Sequence, residues 1–271
     1  MPADFTLMGV INVTPDSFSD GGRFLDARAA TAQGRRLAAE GAAILDVGGE
    51  STRPGAEPVA ADQERERVVP VIAALAADGV ARLSVDTSKV EVARAALDAG
   101  AGLVNDVTAF RSAPDLAGLV ADRGAECCLM HMQGEPRTMQ RDPRYDDVVA
   151  EVKAFLEARL AFAVGEGVAE ERVLLDPGIG FGKTIDHNLE LLRRLGEIVA
   201  LGRPVVVGTS RKSFLGRLTG RGVDERVPGT IASSLIAFQA GATVLRVHDV
   251  APVRDALLVA AAVRSGAHGP R

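Results

Sequence analysis

Eight short runs of apolar, often β-branched residues recur along the chain, and longer segments of helical character separate them. The runs cover residues 7–13, 44–47, 83–85, 103–104, 127–130, 173–175, 205–207 and 244–247. Because the runs are predominantly apolar, we expect strands that are buried on both faces, as in a parallel sheet. Parallel neighbours require long crossover connections, which helices in the intervening segments can supply.

The intervening segments have the spacing of amphipathic helices. The clearest is 145–165, in which apolar side chains recur at intervals of three and four residues. The other predicted helices cover residues 27–39, 62–77, 90–99, 113–122, 188–200, 230–240 and 252–263. Several of them close on a glycine before the next strand, as at Gly41, Gly100 and Gly241, which is typical of a helix C-terminus.

Eight strand–helix units in 271 residues match a (β/α)8 barrel, which is typically ~250 residues long. An open, doubly wound sheet is the alternative architecture, and the even spacing of the units favours closure. No linker-like or low-complexity segment divides the sequence. We therefore predict an α/β fold in which one (β/α)8 TIM barrel domain spans residues 1–271.

Composition narrows the possible partners and the compartment. The formal charge of −5 argues against nucleic acid or an anionic membrane, so an anion site has to be a local pocket. The two cysteines, Cys127 and Cys128, are adjacent and cannot build a disulfide framework, which favours a cytoplasmic setting. Within a strand their side chains would point to opposite faces, as small buried hydrophobes.

Neither a secretory signal nor a membrane span is expected. Residues 1–4 lack a basic start followed by a long apolar run. Residues 227–245 carry no charge, but Pro228, Gly229 and Gly241 divide them into a helix, a glycine turn and a strand.

Polar or ionisable side chains follow every predicted strand. The catalytic groups of a (β/α)8 barrel lie at the carboxyl ends of its strands and in the loops after them. The residues at those positions are Asn12, Glu50, Ser51, Thr52, Arg53, Asp86, Asn105, Asp106, His131, Asp176, Ser210, Arg211, Lys212, Arg246 and His248. Any one of them could be a cap, a turn or a surface charge. Their recurrence at successive strand ends predicts a functional site.

The residue types at these ends indicate two kinds of ligand group. Asp86, Asp176 and Asn105 can pair with a flat heterocycle that bears ring N–H and amino groups. A second set, Arg53, Lys212, Arg246 and His248, can hold an anion such as phosphate or diphosphate. A structural alternative stays open for the two aspartates, which could cap the following helices, and for His248, which could bond a neighbour.

The glycine-rich segment 178–184, GIGFGKT, resembles a phosphate-binding loop but does not match one. Three residues separate Gly178 from Gly182, whereas a Walker A motif requires four, and the dinucleotide-binding glycine pattern is absent too. The sequence also lacks the spacings of a dedicated metal site and of a serine nucleophile elbow. Mg2+ that arrives with a diphosphate remains possible.

At these residues the sequence resembles the dihydropteroate synthase family of pterin-binding enzymes, over nearly the whole chain. The matching segments are MGVINVTPDSFSDGG (8–22), DVGGESTRPG (46–55), SVDT (84–87), NDV (105–107), MHMQG (130–134), DPGIGFGKT (176–184), SRKS (210–213) and RVHD (246–249). One departure is Thr108, where serine is usual; both side chains carry a hydroxyl.

The resemblance implies an enzyme of folate biosynthesis, and the residue roles carry over motif by motif. It would condense 6-hydroxymethyl-7,8-dihydropterin diphosphate with 4-aminobenzoate, giving 7,8-dihydropteroate and diphosphate. The pterin would be held by Asp86, Asn105, Asp176 and Lys212. The diphosphate or the aminobenzoate carboxylate would be contacted by Thr52, Arg53, Arg246 and His248. The aminobenzoate pocket, where sulfonamide drugs compete, would be lined by Pro54, Phe181 and Ser210.

The resemblance further implies that Asn12 binds the Mg2+ that accompanies the diphosphate. Catalysis would then rest on Asn12, Arg53, Asp86, Lys212, Arg246 and His248. The glycine-, serine- and proline-rich loops 12–22 and 50–58 are expected to be mobile and to close over the substrates. The family also implies a cytoplasmic homodimer whose partners are small-molecule substrates.

Two other functions fit parts of this pattern. A methyltetrahydrofolate-dependent corrinoid methyltransferase would share the pterin-binding carboxylates and amide, but it has no use for the anion-binding set. A non-catalytic pterin-binding protein would keep the pocket without turnover.

Overall fold

The structure, a computed structural model, describes residues 5–14, 22–52 and 55–266, and of residues 22–26 only the backbone. Within these ranges eight strands form one sheet. They are β1 Thr6–Asn12, β2 Ile44–Gly48, β3 Arg82–Asp86, β4 Leu103–Asp106, β5 Glu126–Met130, β6 Val173–Asp176, β7 Val206–Val207 and β8 Val244–Val247.

The sheet closes into a barrel. Its order is β6-β5-β4-β3-β2-β1-β8-β7, and the neighbouring strands pair in parallel. A parallel bridge between Leu175 and Val205 joins the two ends, and the Leu175 N–H donates to the Pro204 carbonyl at 2.9 Å. The prediction of a (β/α)8 barrel is therefore confirmed, and the open sheet is excluded.

Helices cover the outside of the barrel. In chain order they are α1 Gly22–Ala39, α2 Ala61–Asp78, α3 Val90–Asp98, α4 Asp115–Asp122, α5 Val148–Gly165, α6 Ile185–Arg193, α7 Gly196–Val199, α8 Ser213–Thr219, α9 Val227–Gln239 and α10 Val250–Ser265. Among these helices, none combines the length and the apolar content needed to cross a bilayer.

The helix predictions were wrong at two places. The single helix expected over 188–200 is two helices, because α6 ends at Arg193 and a new helix starts at Gly196 after the fully buried Leu195. The helix α8 was not predicted, since its seven residues are too few to show a helical period.

Alternation along the strands separates two apolar regions. Seven side chains fill the barrel interior: Met8, Ile44, Leu103, Cys128, Leu174, Val206 and Val244. The side chains of opposite parity pack between the sheet and the helices, and Cys127 lies among them. The two cysteines thus point to opposite faces, both buried and unpaired, as the sequence predicts.

Candidate active site

A polar layer lies above the apolar interior, at the carboxyl end of the barrel. Strand register brings Asn12, Gly48, Asp86 and Asn105 to the same level on four neighbouring strands. These positions have the same parity along their strands as the interior residues Met8, Ile44 and Leu103, so their side chains also face the barrel axis. Strand ends that are far apart in sequence are in this way collected around one opening.

Arg246 joins two buried carboxylates at the centre of this layer. Its Nε donates to Asp46 Oδ2 at 2.7 Å, and its Nη2 donates to Asp86 Oδ2 at 2.8 Å. Asp46, which has no exposed surface, also accepts from Ser84 Oγ at 2.6 Å and from Asn105 Nδ2 at 3.0 Å. The network fixes the side chains of four strands relative to one another.

Asp86 has an unusual proton affinity. Burial raises its pKa to about 7, with Arg246 opposing the rise and Asp46 adding to it. The carboxyl is consequently balanced between its two protonation states near neutral pH. A ligand that donates hydrogen bonds to Asp86 favours the ionised form.

Asp176 and Lys212 form the other half of the layer. Asp176 accepts from the Gly178 N–H at 2.7 Å, and burial raises its pKa although Lys212 opposes the change. Burial lowers the pKa of Lys212 to about 8. The ammonium of Lys212 donates to the Ile179 carbonyl and lies 4.6 Å from the centroid of the Phe181 ring. Cation, carboxylate and aromatic ring therefore share one side of the opening.

Ser210 and His248 meet at the end of β8. The Ser210 hydroxyl accepts from the His248 backbone N–H at 3.1 Å and lies 3.0 Å from His248 Nδ1. Asp249 instead pairs with Arg211, whose Nη2 and Nε donate to its carboxylate at 2.6 and 2.9 Å. The ring of His248 is thus oriented by a serine, and the neighbouring carboxylate is engaged elsewhere.

A cavity of about 500 Å3 opens beside Asp86. Hydroxyl groups of Ser51, Thr52, Thr87 and Thr108 line it, together with Arg111. Such a wall offers several hydrogen-bond donors at the side of the opening where the anion site is expected.

An ion cluster fixes the chain that enters this cavity. The Lys89 ammonium, at the start of α3, donates to carboxylate oxygens of both Glu50 and Glu64. Arg67 adds a hydrogen bond from its Nη1 to the Gly49 carbonyl at 2.7 Å. The segment after β2 is thereby attached to α2 and α3 up to Glu50.

Two strand-end residues that looked like site candidates hold the scaffold. Asp106 accepts from the backbone N–H groups of Thr108 and Phe110 at 2.8 and 2.7 Å, which shapes the turn after β4. The ring of His131 is buried, and burial, together with the charge of Lys183, lowers its pKa to about 2. His131 is therefore neutral and is not an acid or base of the open site.

The structure places most predicted site residues around one opening. Asn12 ends β1, Thr52 lines the cavity, and Asp86, Asn105, Asp176, Lys212, Arg246, Phe181, Ser210 and His248 lie in or next to the polar layer. Arg53, Pro54 and most of loop 12–22 lie outside the described residues.

Asp46 is a residue of this network that the pattern of polar strand ends does not reveal. It lies inside the apolar run of β2, so attention to strand ends passes over it. Its position along the strand was the available signal. Ile44 faces the barrel interior, and side chains two residues apart in a strand point to the same face, so Asp46 faces the barrel axis too.

The polar layer can surround a flat, hydrogen-bonding ring and can hold an anion next to it. Among the described residues, no three His, Cys, Asp or Glu side chains converge as a metal site. The amide oxygen of Asn12, at the barrel opening, is the kind of single protein ligand that suits a Mg2+ ion coordinated mainly by diphosphate and water.

Comparison with known proteins agrees with this geometry. The sequence pattern of the family described as pterin binding enzyme matches residues 8–248. The Escherichia coli (strain K12) dihydropteroate synthase is 45% identical over 265 residues, which are 98% of this chain and 94% of that protein.

Solved structures are equally similar. The Xanthomonas albilineans dihydropteroate synthase with 4-aminobenzoic acid has a TM-score of 0.91 and 51% identity, over 96% of this chain and 93% of that one. The Yersinia pestis dihydropteroate synthase with a sulfonamide drug complex has a TM-score of 0.91 and 43% identity, over 96% and 94% of the two chains.

Proposed function

The chain belongs to the dihydropteroate synthases among the pterin-binding enzymes, and we propose that the polar layer of its barrel is where the reaction takes place. The enzyme condenses 6-hydroxymethyl-7,8-dihydropterin diphosphate with 4-aminobenzoate, which gives 7,8-dihydropteroate and diphosphate for folate biosynthesis. The observation that carries the site proposal is the Arg246 network, because it joins carboxylate, amide and guanidinium groups from four strands around one opening.

The pterin is assigned to the space between Asp86, Asn105, Asp176 and Lys212. Its ring N–H and amino groups donate to the carboxylates, and Lys212 donates to a ring acceptor. Binding in this way favours the ionised form of Asp86, whose pKa of about 7 leaves it half protonated in the empty site. Asp46 takes no part in contact with the pterin and instead positions Asn105 and Arg246.

The chemistry requires little from an acid or a base. The C–O bond to the diphosphate breaks while the electron-rich pterin stabilises the positive charge left on the methylene carbon. The aromatic amine is neutral at pH 7 and forms the new C–N bond, after which it loses a proton. The protein holds both partners in line and excludes water. His131 is buried and neutral, which is consistent with a reaction that needs no strong acid or base from the protein.

The anion side is assigned to Thr52, Arg53, Arg246 and His248. The guanidinium of Arg246 is already paired with two carboxylates, those of Asp46 and Asp86. Arg246 therefore stabilises the departing diphosphate by its positive charge next to the pterin. Thr52, Arg53 and His248 make the direct contacts with the diphosphate. Asn12 would hold a Mg2+ ion that neutralises part of the diphosphate charge.

The aminobenzoate is assigned to the side formed by Pro54, Phe181 and Ser210. The ring of Phe181 lies against Lys212, so an amine seated there is next to the pterin methylene. Sulfonamides, which share the arylamine shape, are expected to compete at this place, as the Yersinia pestis complex suggests.

We also propose that the protein works as a cytoplasmic homodimer. Support for a second copy comes from exposed apolar side chains on α9 and α10, where Ile236, Val259 and Val263 are 49%, 66% and 79% exposed. The two unpaired, buried cysteines suit a reducing compartment. Sedimentation equilibrium tests the dimer: a single species of twice the chain mass supports it, and a monomer contradicts it.

The test of function is diphosphate release from the pterin diphosphate with Mg2+, measured with and without 4-aminobenzoate. Release that depends on the amine and is matched by dihydropteroate supports the proposal. Tight pterin binding without product would point instead to a binding protein or to a methyltetrahydrofolate-dependent methyltransferase. Absence of any pterin binding would overturn the assignment of the polar layer.

A further inference from the structure

The glycine-rich segment 178–184, which is not a phosphate loop, has a backbone that only glycine can adopt. Gly178, Gly180 and Gly182 have φ values of 67°, 84° and 59°. A Cβ atom on Gly178 would lie 1.9 Å from the His131 carbonyl oxygen, and one on Gly182 would lie 2.4 Å from the Gln133 carbonyl oxygen. The loop therefore packs backbone against backbone on the chain that follows β5.

The buried side chain of Lys183 is the centre of this loop. It is 3% exposed, and its Nζ lies 2.9 Å from each of three hydrogen-bonding partners. These are the carbonyl oxygens of Gly178 and Phe181 and the Nδ1 atom of His131. The two carbonyl oxygens accept hydrogen bonds from Nζ, and the contact with Nδ1 connects the lysine to the His131 ring. Burial lowers the pKa of Lys183 well below its usual value. In a loop without regular structure, this side chain replaces the hydrogen bonds that a helix or strand would supply.

The remaining carbonyls of the loop are held from outside it. Gln140 Nε2 donates to the Gly180 carbonyl at 2.6 Å, and the Tyr145 hydroxyl donates to the Gly182 carbonyl at 2.9 Å. The Ile179 carbonyl accepts from Lys212. Each carbonyl from Gly178 to Gly182 thus has a donor, and only Lys183 bonds two of them at once.

Two groups of the proposed site depend on the path of this loop. Phe181 packs against the small apolar cluster of Val107, Met130, Met132 and Met139. The centroid of its ring lies 4.6 Å from the Lys212 ammonium. The Ile179 carbonyl fixes the ammonium of Lys212. A shift of the loop backbone would move the aromatic wall and the cation together.

We infer that Lys183 is a positioning residue of the enzyme: by bonding Gly178, Phe181 and His131 it holds the loop that sets the aminobenzoate side of the site. The inference rests on the proposed function, because it takes Phe181 and Lys212 to contact the substrates. It assigns Lys183 no contact with either substrate.

The chain contains a natural reporter of this loop. Tyr145 is its one tyrosine, and it has no tryptophan. Because the Tyr145 hydroxyl bonds the Gly182 carbonyl and its ring lies 6.0 Å from that of His131, tyrosine absorbance and fluorescence report the loop without any label.

The experiment compares Lys183→Met, which keeps most of the length of the side chain but removes its donors, with Lys153→Met on α5 as the matched control. In the Lys183 variant the KM for 4-aminobenzoate is expected to rise about tenfold or more, because sub-ångström errors in placing reactants are costly. The tyrosine spectrum should shift as well. The control should stay within about twofold of the parent enzyme in both substrates.

Two further variants keep the inference testable if Lys183→Met does not fold. Lys183→Gln retains an amide donor on a shorter chain and should give a smaller rise in the KM for 4-aminobenzoate. His131→Gln removes the ring that Lys183 contacts and should raise the same KM. An unchanged KM and spectrum in a folded Lys183 variant would overturn the inference. A lower melting temperature with normal KM values would do so too, since it would mean a merely structural role.

These readouts separate two kinds of failure. If the parent protein forms no dihydropteroate, the proposed function is wrong, and the tyrosine spectrum still decides whether Lys183 holds the loop. If the parent is active and Lys183→Met has unaltered kinetics and spectrum, the function stands and the positioning role is wrong.

Discussion

Arg246 on β8 and Asp46 on β2 are 200 residues apart in sequence, and 2.7 Å separates the Nε atom of the first from the Oδ2 atom of the second. The same guanidinium bonds Asp86 at 2.8 Å. One cation therefore stabilises two buried carboxylates, and the network leaves acceptor capacity for a ligand that brings N–H groups. The network both stabilises the barrel and lines the inner end of the proposed pterin site.

Asp46→Asn should weaken both stability and pterin binding. The change removes the charge that Arg246 and Asn105 contact inside the barrel, and breaking a buried ion pair from one side costs about 3 kcal/mol. Denaturant unfolding measures the free energy, and calorimetry measures the affinity for the pterin. Asp98→Asn, which alters an exposed pair with Arg123, is the control and should change neither.

Asp86→Asn should change stability in a manner that depends on pH. The pKa of Asp86 is about 7 in the folded protein and ordinarily 3.8, so the folded state binds the proton more tightly than the unfolded state does. The stabilisation from that proton is complete below about pH 4 and is lost as the pH rises through 7. An asparagine at this position stays neutral at every pH, so the variant does not lose this stabilisation as the pH rises.

The measurement for Asp86→Asn is a series of thermal melts. At pH 4 the variant should melt close to the parent protein, and at pH 8 it should melt roughly 5 °C higher or more, while pterin binding is lost at both pH values. A variant that is less stable than the parent at pH 8 would show that the ion pair with Arg246 outweighs the burial of the carboxyl.

Lys212→Met should reduce pterin affinity with the fold intact. A hydrogen bond from a charged donor contributes about 1.5–3 kcal/mol, so the dissociation constant should rise about 10- to 100-fold. Calorimetry with the pterin diphosphate measures it, and circular dichroism checks the fold. An unchanged affinity would remove Lys212 from the pterin site.

Gly178→Ala should destabilise the protein severely. At a φ of 67°, with the new Cβ 1.9 Å from a backbone oxygen, the chain after β6 has to move, at a cost of about 3 kcal/mol or more. Gly118→Ala in α4 is the matched control, because a Cβ there meets nothing within 4 Å. In a helix interior the control should add up to about 1 kcal/mol of stability. Equal effects on the two variants would contradict the packing described for the loop.

Much of the architecture follows from local patterns. The eight apolar runs specify buried parallel strands, and the parity of Cys127 and Cys128 already assigns them to opposite faces. The residues at strand ends were identifiable because closure of the barrel brings every strand end to one opening.

Interactions between distant segments could not be predicted in the same way. Asp46 looks like an interruption in an apolar strand until Arg246, Ser84 and Asn105 are placed around it. Lys183 belongs to a motif whose phosphate-binding interpretation fails on spacing, and its partner His131 lies 52 residues earlier. The break between α6, which ends at Arg193, and α7, which begins at Gly196, has no counterpart in the spacing of apolar residues along the sequence.

The central claim is that the polar layer around Arg246 catalyses dihydropteroate formation. The most direct test measures product formation by the parent protein and by Asp176→Asn in one assay, with the pterin diphosphate, 4-aminobenzoate and Mg2+. The parent should release one diphosphate per dihydropteroate, and the variant should lose at least about 100-fold in kcat/KM while remaining folded. Equal rates for the two proteins, or a folded parent that forms no product, would contradict the account.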